Sequence, residues 1–254
     1  MTGIALLDIV MRNSVLARNA FIQSGSDAFM NGTLPVVSLP HPSLRTPINL
    51  VDFEKCILDD YDILCFTDGS KMNEKVGLAF VLFQHDLELF YQQFRISDNC
   101  SVFQAELLCL NLAVKHVLQY TGARILICSD SLSSLLSLCD VRSFEKLVVE
   151  VQSTLNNTLD IDLDFTHVRG HTGIHGNERA DFLAKDATHL PFALNLSKPY
   201  AFWKSLYFNE TIKEWNSEYL ASNKGYWTKR FLPTITFRTK LLHFKTDFSH
   251  FILN

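Results

Sequence analysis

Ile63-Leu64-Cys65-Phe66-Thr67-Asp68-Gly69-Ser70, then Val76-Gly77-Leu78-Ala79-Phe80-Val81-Leu82-Phe83-Gln84, then Leu87-Glu88-Leu89-Phe90-Tyr91-Gln92-Gln93-Phe94-Arg95-Ile96: these three successive runs decide the fold class. Each is rich in aliphatic and aromatic residues, and the last two are separated only by His85-Asp86, so they read as a meander of strands. Outward from them, residues 101–120 form a long apolar helical pattern, 124–129 a strand, and 132–139 and 144–155 helical pieces. Residues 161–168 read as a further strand and 177–188 as a last helix. The order βββαβααβα predicts an α/β fold: a mixed five-stranded sheet, antiparallel in its meander and parallel beyond it, flanked by helices.

The flanks differ from this body. Residues 1–32 form an N-terminal segment with room for a short helix around residues 5–21. Pro35, Pro40, Pro42 and Pro47 fall in one window, so residues 33–58 read as an extended linker. The α/β domain then spans residues 59–190, and residues 191–254 form a basic, aromatic-rich helical extension that holds Trp203, Trp215 and Trp227.

Hydrophobic content of 47% and charged content of 20% belong to an ordinary globular protein. No apolar run reaches the roughly 18–20 residues of a membrane span. Asp8 interrupts the apolar start and no basic region precedes it, so the chain is expected to be intracellular, in nucleus or cytoplasm, with no membrane partner. Cys56, Cys65, Cys100, Cys109, Cys128 and Cys139 form no C-x-x-C pair, which suits free thiols. Residues 195–254 hold nine Lys/Arg and four Asp/Glu, so the overall charge of −4 leaves −9 on residues 1–194. An acidic body of that kind meets a polyanion only if cations neutralise its carboxylates.

Four carboxylates stand out. Asp68 precedes Gly69 near the end of a buried strand, where an Asp is also a good turn former. Glu106 lies on a helix whose Gln104, Asn111 and Lys115 align as a solvent stripe; at about 200° from Gln104 it faces the interior. A buried carboxylate needs a metal, a cation or a proton. Asp130 follows the strand 124–129 and precedes a helix, which suits either an N-cap or a ligand at a strand's carboxyl end. Asp181 borders the apolar face made by Ala180, Leu183, Ala184 and Ala187. Converging, the four supply the oxygen ligands that two hard cations about 4 Å apart require. His167, His171 and His175 recur every fourth residue, which raises a zinc site, but the glycines among them oppose the helix such a site needs.

Thr67-Asp68-Gly69-Ser70, Ala105-Glu106, Ser129-Asp130-Ser131 and Gly170-His171-Thr172-Gly173-Ile174-His175-Gly176-Asn177-Glu178-Arg179-Ala180-Asp181 resemble, in order, the successive motifs of ribonuclease H. Phe103-Gln104-Ala105-Glu106 and the glycine-rich stretch are most similar to domains in polyproteins of non-LTR retrotransposons. The tail segments Gly225-Tyr226-Trp227-Thr228 and Leu241-Leu242-His243-Phe244 resemble the region C-terminal to the domain in those polyproteins.

This resemblance implies an endonuclease that hydrolyses the RNA strand of an RNA–DNA hybrid with two Mg²⁺ ions, Mn²⁺ substituting, leaving 5′-phosphate and 3′-hydroxyl ends. It implies that Asp68 bridges both ions, that Asp181 helps hold the ion activating water, and that Glu106 and Asp130 hold the ion at the leaving oxygen. His171 would act from a mobile loop flanked by Gly170, Gly173 and Gly176, and Ser70 and Asn177 would contact substrate. Other retroelement domains are the implied protein partners.

Leu132, Val102 and Phe103 depart from the polar residues common in relatives, which bears on hybrid grip more than on chemistry. The order of the acids separates the chain from DDE transposases, and Ser70 stands where a proofreading exonuclease has Glu. The competing reading is a weak or inactive retroelement remnant that persists as a binding or interaction module. Its aromatic tail would then pack on the domain, meet a missing partner or stack on single-stranded nucleic acid.

Overall fold

A computed structural model describes residues 39–158, 161–191, 193–196, 198–223 and 225–234. The helix expected around residues 5–21 and the tail motif at 241–244 lie outside the described residues. Contacts divide the chain after Pro199, and the unit ending there carries the sheet. Its elements are β1 (Leu50–Val51), β2 (Ile63–Met72), β3 (Lys75–Gln84), β4 (Leu87–Ile96), α1 (Val102–Val117), β5 (Arg124–Ser129), α2 (Leu132–Cys139), α3 (Lys146–Asn156), β6 (Asp162–His167), α4 (His175–Ala187) and β7 (Ala193–Leu194).

The sheet runs in the order β1-β6-β5-β2-β3-β4-β7. The five expected strands are β2 to β6; two-residue strands extend both edges. The β2–β3 and β3–β4 pairs are antiparallel, while β2–β5 and β5–β6 are parallel. Each hairpin turns on two residues of positive φ, Asn73 and Glu74 (48° and 65°), then His85 and Asp86 (48° and 64°). Such loops match the right-handed twist of the strands they join. The first of these turns corrects one expectation: β2 does not stop at Asp68 but continues to Met72.

Alternation along the strands divides the core into two layers. Ile63 and Cys65 of β2, Leu78, Phe80 and Leu82 of β3, and Ile125 and Ile127 of β5 face one layer, with α1, α2 and α3. Phe66, Ala79, Val81, Phe83, Leu126 and Cys128 face the other, against Ala180, Leu183 and Ala184 of α4. Central strands buried on both faces read as continuous apolar runs for this reason.

The proline window is not a free linker from Arg45 onward. Arg45 is buried and its Nε donates to Gln152 Oε1 at 2.8 Å. The Thr46 N–H donates to the Gln152 carbonyl and the Phe165 N–H to the Asn49 carbonyl, while β1 pairs with β6. Ile48 joins the main core. Prolines oppose a continuous α-helix here, and only short 3-10 turns such as Pro42–Leu44 form, but they leave the chain free to lie along a sheet edge.

The remaining unit contains α5 (Tyr200–Ala221) and α6 (Tyr226–Phe231). On α5, Trp215 and Tyr219 are buried with Ile212 beside them. Among the described residues no helix is long and apolar enough to cross a membrane, and all six cysteines are free thiols.

Candidate active site

Register assembles the first pair of carboxylates. Parallel pairing of β2 with β5 ends at Thr67 opposite Ser129. Asp68 and Asp130 are the next residue on each chain, and neighbouring strands lie about 4.8 Å apart. Asp130 is therefore not a helix cap: Ser131 occupies that position, and α2 has no side-chain cap. The Asn177 side chain lies close enough to Asp130 to favour its charged form.

Glu106 arrives from α1, which begins with a reciprocal capping box between Ser101 and Gln104. α1 lies so close to β2 that a Cβ on Gly69 would sit 2.9 Å from the Glu106 backbone nitrogen. Only glycine permits that approach. Asp68, Glu106 and Asp130 thereby offer oxygens within 4.8 Å of one another. The solvent stripe expected on α1 is corrected: Gln104 and Asn111 are buried. Gln104 closes the cap, and Asn111 donates to Glu150 of α3 at 3.0 Å. Helical phase gave the inward direction of Glu106 but not the presence of α3 beside the opposite face.

Asp181 of α4, half-buried, is not within the three-carboxylate group but lies near enough to raise Asp68 and Asp130 electrostatically. Its carboxylate accepts a hydrogen bond from Lys185 Nζ at 2.6 Å. It lies within 4.8 Å of ligand atoms of His171 and Glu178. His171 is exposed, with φ of 57°, in the turn before α4. Gly173 in that turn has φ of 82°, and its N–H donates to Glu178 Oε1 at 3.4 Å. Gly170, read as a source of loop mobility, has another duty. A Cβ there would come 2.9 Å from Asp130 Oδ2.

Electrostatics follows from crowding. Burial first, then Asp130 and Asp181, push the Asp68 carboxyl up to about 7, while Lys185 and the Gly69 N–H oppose the rise. Burial drives Glu106 well above the ordinary carboxylate range, with Asp68 and Asp130 adding to it. Asp130 is raised by burial and by Asp181, and lowered by Asn177 and by His171. Glu106 Oε2 is buried without a hydrogen-bond partner. Such an atom carries a large desolvation penalty unless a cation or proton meets it. An all-oxygen donor set with an orphaned carboxylate oxygen fits a hard divalent cation.

Asn177, expected as a substrate contact, is buried close enough to Asp130 to favour its charged form. Ser70 is half-buried, two residues beyond Asp68 on β2. The histidines do not gather into a zinc site. His167 ends β6 with Nε2 3.2 Å from the Asp130 carbonyl, and His175 lies edge-on to Phe83 at 5.5 Å. Lys185 and Glu178 are the site residues that sequence reasoning missed. The i,i+4 spacing of Lys185 from Asp181 was the available signal. Val102, Phe103 and Leu132 are exposed.

A family model described as RNase H matches residues 60–189. No curated protein matches the chain. Similar solved structures include the protease–reverse transcriptase of prototype foamy virus, 21% identical over 52% of this chain, with TM-score 0.43. This chain spans only 21% of that viral chain. RNase H1 from the halophilic archaeon Halobacterium salinarum is 24% identical over 49% of this chain and 96% of its own, with TM-score 0.40. LC11-RNase H1, crystallised in complex with an RNA/DNA hybrid, is 18% identical over 50% of this chain and 96% of its own, with TM-score 0.42.

Proposed function

Because the chain belongs to the ribonuclease H family, we propose that it is an endonuclease that hydrolyses the RNA strand of RNA–DNA hybrids, leaving 5′-phosphate and 3′-hydroxyl ends. The observation that carries this reading is the convergence of Asp68, Glu106 and Asp130, with an orphaned Glu106 oxygen, next to Asp181. Two Mg²⁺ ions, or Mn²⁺ in their place, would be held by these four carboxylates, Asp68 shared between them. When bound, they supply a water of lowered pKa and charge neutralisation at the scissile phosphate.

The chain's own groups do the rest. Gly69 and the α1 cap fix Glu106 against Asp68, and Asn177 favours the charged form of Asp130. Such prior orientation lowers reorganisation at the moment of reaction. His171, exposed beside the carboxylates, is suited to deliver a proton to the departing 3′ oxygen and to assist product release. Glu178 holds the His171 turn through the Gly173 N–H. Lys185 screens Asp181 and Asp68. The wording of the motifs supports a retroelement origin, and with it other retroelement domains as partners.

A second reading, a weakly active or inactive binding module, is favoured by Val102, Phe103 and Leu132, exposed and apolar where relatives present polar groups. One experiment separates the two: cleavage of a labelled RNA–DNA hybrid with Mg²⁺ or Mn²⁺, beside EDTA, duplex DNA and Asp68→Asn controls. Metal-dependent cutting of the RNA strand alone, lost in the variant, supports the nuclease. No cutting by folded protein leaves the binding module.

A further inference from the structure

α6, Tyr226-Trp227-Thr228-Lys229-Arg230-Phe231, carries a face that the nuclease reading does not use. At about 100° per residue, Tyr226, Arg230, Trp227 and Phe231 fall near 0°, 40°, 100° and 140°. The three aromatics thus share one side with an arginine among them. Tyr226, Trp227 and Phe231 are 70%, 67% and 73% exposed. The Arg230 guanidinium lies 5.9 Å from the Trp227 ring, and the Tyr226 and Trp227 rings meet edge to face at 5.6 Å.

The other side of α6 is anchored. Lys229 Nζ donates to the Leu220 carbonyl at 3.2 Å and to that of Ser222, at the end of α5. The same ammonium lies 5.6 Å from the Tyr219 ring, and Tyr219 Oη donates to the Leu232 carbonyl at 2.8 Å. Lys229 therefore serves the α5 terminus and holds α6 so that its aromatic side stays turned outward.

We propose that this face binds single-stranded nucleic acid, unpaired bases stacking on Tyr226, Trp227 and Phe231 while Arg230 meets a phosphate or caps a base. Charge selects this occupant over an apolar protein surface. Residues 219–246 contain six Lys/Arg and no Asp or Glu, in a chain whose overall charge is −4. Exposed aromatics within a basic segment are the two components of sequence-tolerant single-strand binding, and arginine both stacks and pairs with phosphate. The ligand differs from a hybrid, whose bases are paired, so this surface and the carboxylate site succeed or fail separately.

The test uses the full chain in EDTA, where no metal-dependent cleavage occurs, and follows fluorescence anisotropy of short labelled oligo(dT) and oligo(U), with duplex DNA as control. The chain is expected to prefer the single strands to the duplex. Trp227→Ala with Phe231→Ala should weaken single-strand binding about tenfold or more. Trp227→Tyr should retain most of it, and Arg230→Gln should reduce its salt dependence. Unchanged circular dichroism and an unchanged melting temperature certify the fold of each variant. Equal affinity of the double alanine variant and the parent chain overturns the proposal. So does self-association of the parent chain that the same substitutions abolish, which assigns the face to a protein contact.

Discussion

Asp68→Asn is expected to stabilise the metal-free protein above pH 7 while abolishing its cleavage. The Asp68 carboxyl stands at about 7 in the fold against an ordinary 3.8. Between those values the folded chain holds a proton that the unfolded chain has released, so stability falls as pH rises from about 4 to 7 and stays reduced above that. At 1.36 kcal/mol for each pH unit of separation, the full effect is about 4 kcal/mol. Structural relaxation around the charged group brings the expected gain from asparagine to about 1–4 kcal/mol. A domain of this size shifts its melting temperature by roughly 2–4 °C for each kcal/mol.

The assay is thermal unfolding of parent and variant in EDTA at pH 5 and pH 8. At pH 5 Asp68 is protonated in the folded parent but already ionised in the unfolded chain, so only about a third of the full gap should be present. At pH 8 the variant should melt several degrees higher. Added Mg²⁺ should then raise the parent, through binding to the folded state alone, and leave the variant almost unmoved. A variant no more stable than the parent at pH 8, or a gap of equal size at both pH values, would refute the claim that crowding of carboxylates stores this free energy.

Three further outcomes rest on neighbouring groups. His171→Ala should slow turnover without eliminating it, since the carboxylates hold the chemistry; loss equal to that of Asp68→Asn in single-turnover assays contradicts the separate roles. Lys185→Met removes a half-exposed ammonium from Asp181 and Asp68. At about 1 kcal/mol for a charge pair near water, Mg²⁺ binding measured by calorimetry at pH 8 should tighten about fivefold, and unchanged or weaker binding counts against Lys185 as a competitor for the cation. Gly69→Ala puts a methyl 2.9 Å from the Glu106 backbone nitrogen. The overpacking should cost about 1–3 kcal/mol in denaturant unfolding and lower cleavage as well, and a neutral result on both measures would show that α1 can shift freely.

The fold class was legible in the sequence because its strands are long, apolar and separated by short turns. Local chemistry sets such elements, and their order leaves few topologies. The four carboxylates were legible as a set in motif order, and the inward direction of Glu106 came from helical phase alone. What sequence could not reach is whatever depends on which surface covers which. Asp130 has the same local sequence whether it caps α2 or faces Asp68, and the β2–β5 register chose the second. Gln104 and Asn111 look like a solvent stripe until the first closes the helix cap and the second meets Glu150 of α3. The prolines of the expected linker oppose a continuous α-helix but not an edge strand against β6. Asn177 is polar in any reading, and only the fold shows that it is buried beside Asp130. Local patterns determined the elements and the candidate groups of this chain; long-range contacts decided their partners, because burial and electrostatic crowding exist only between segments that folding brings together.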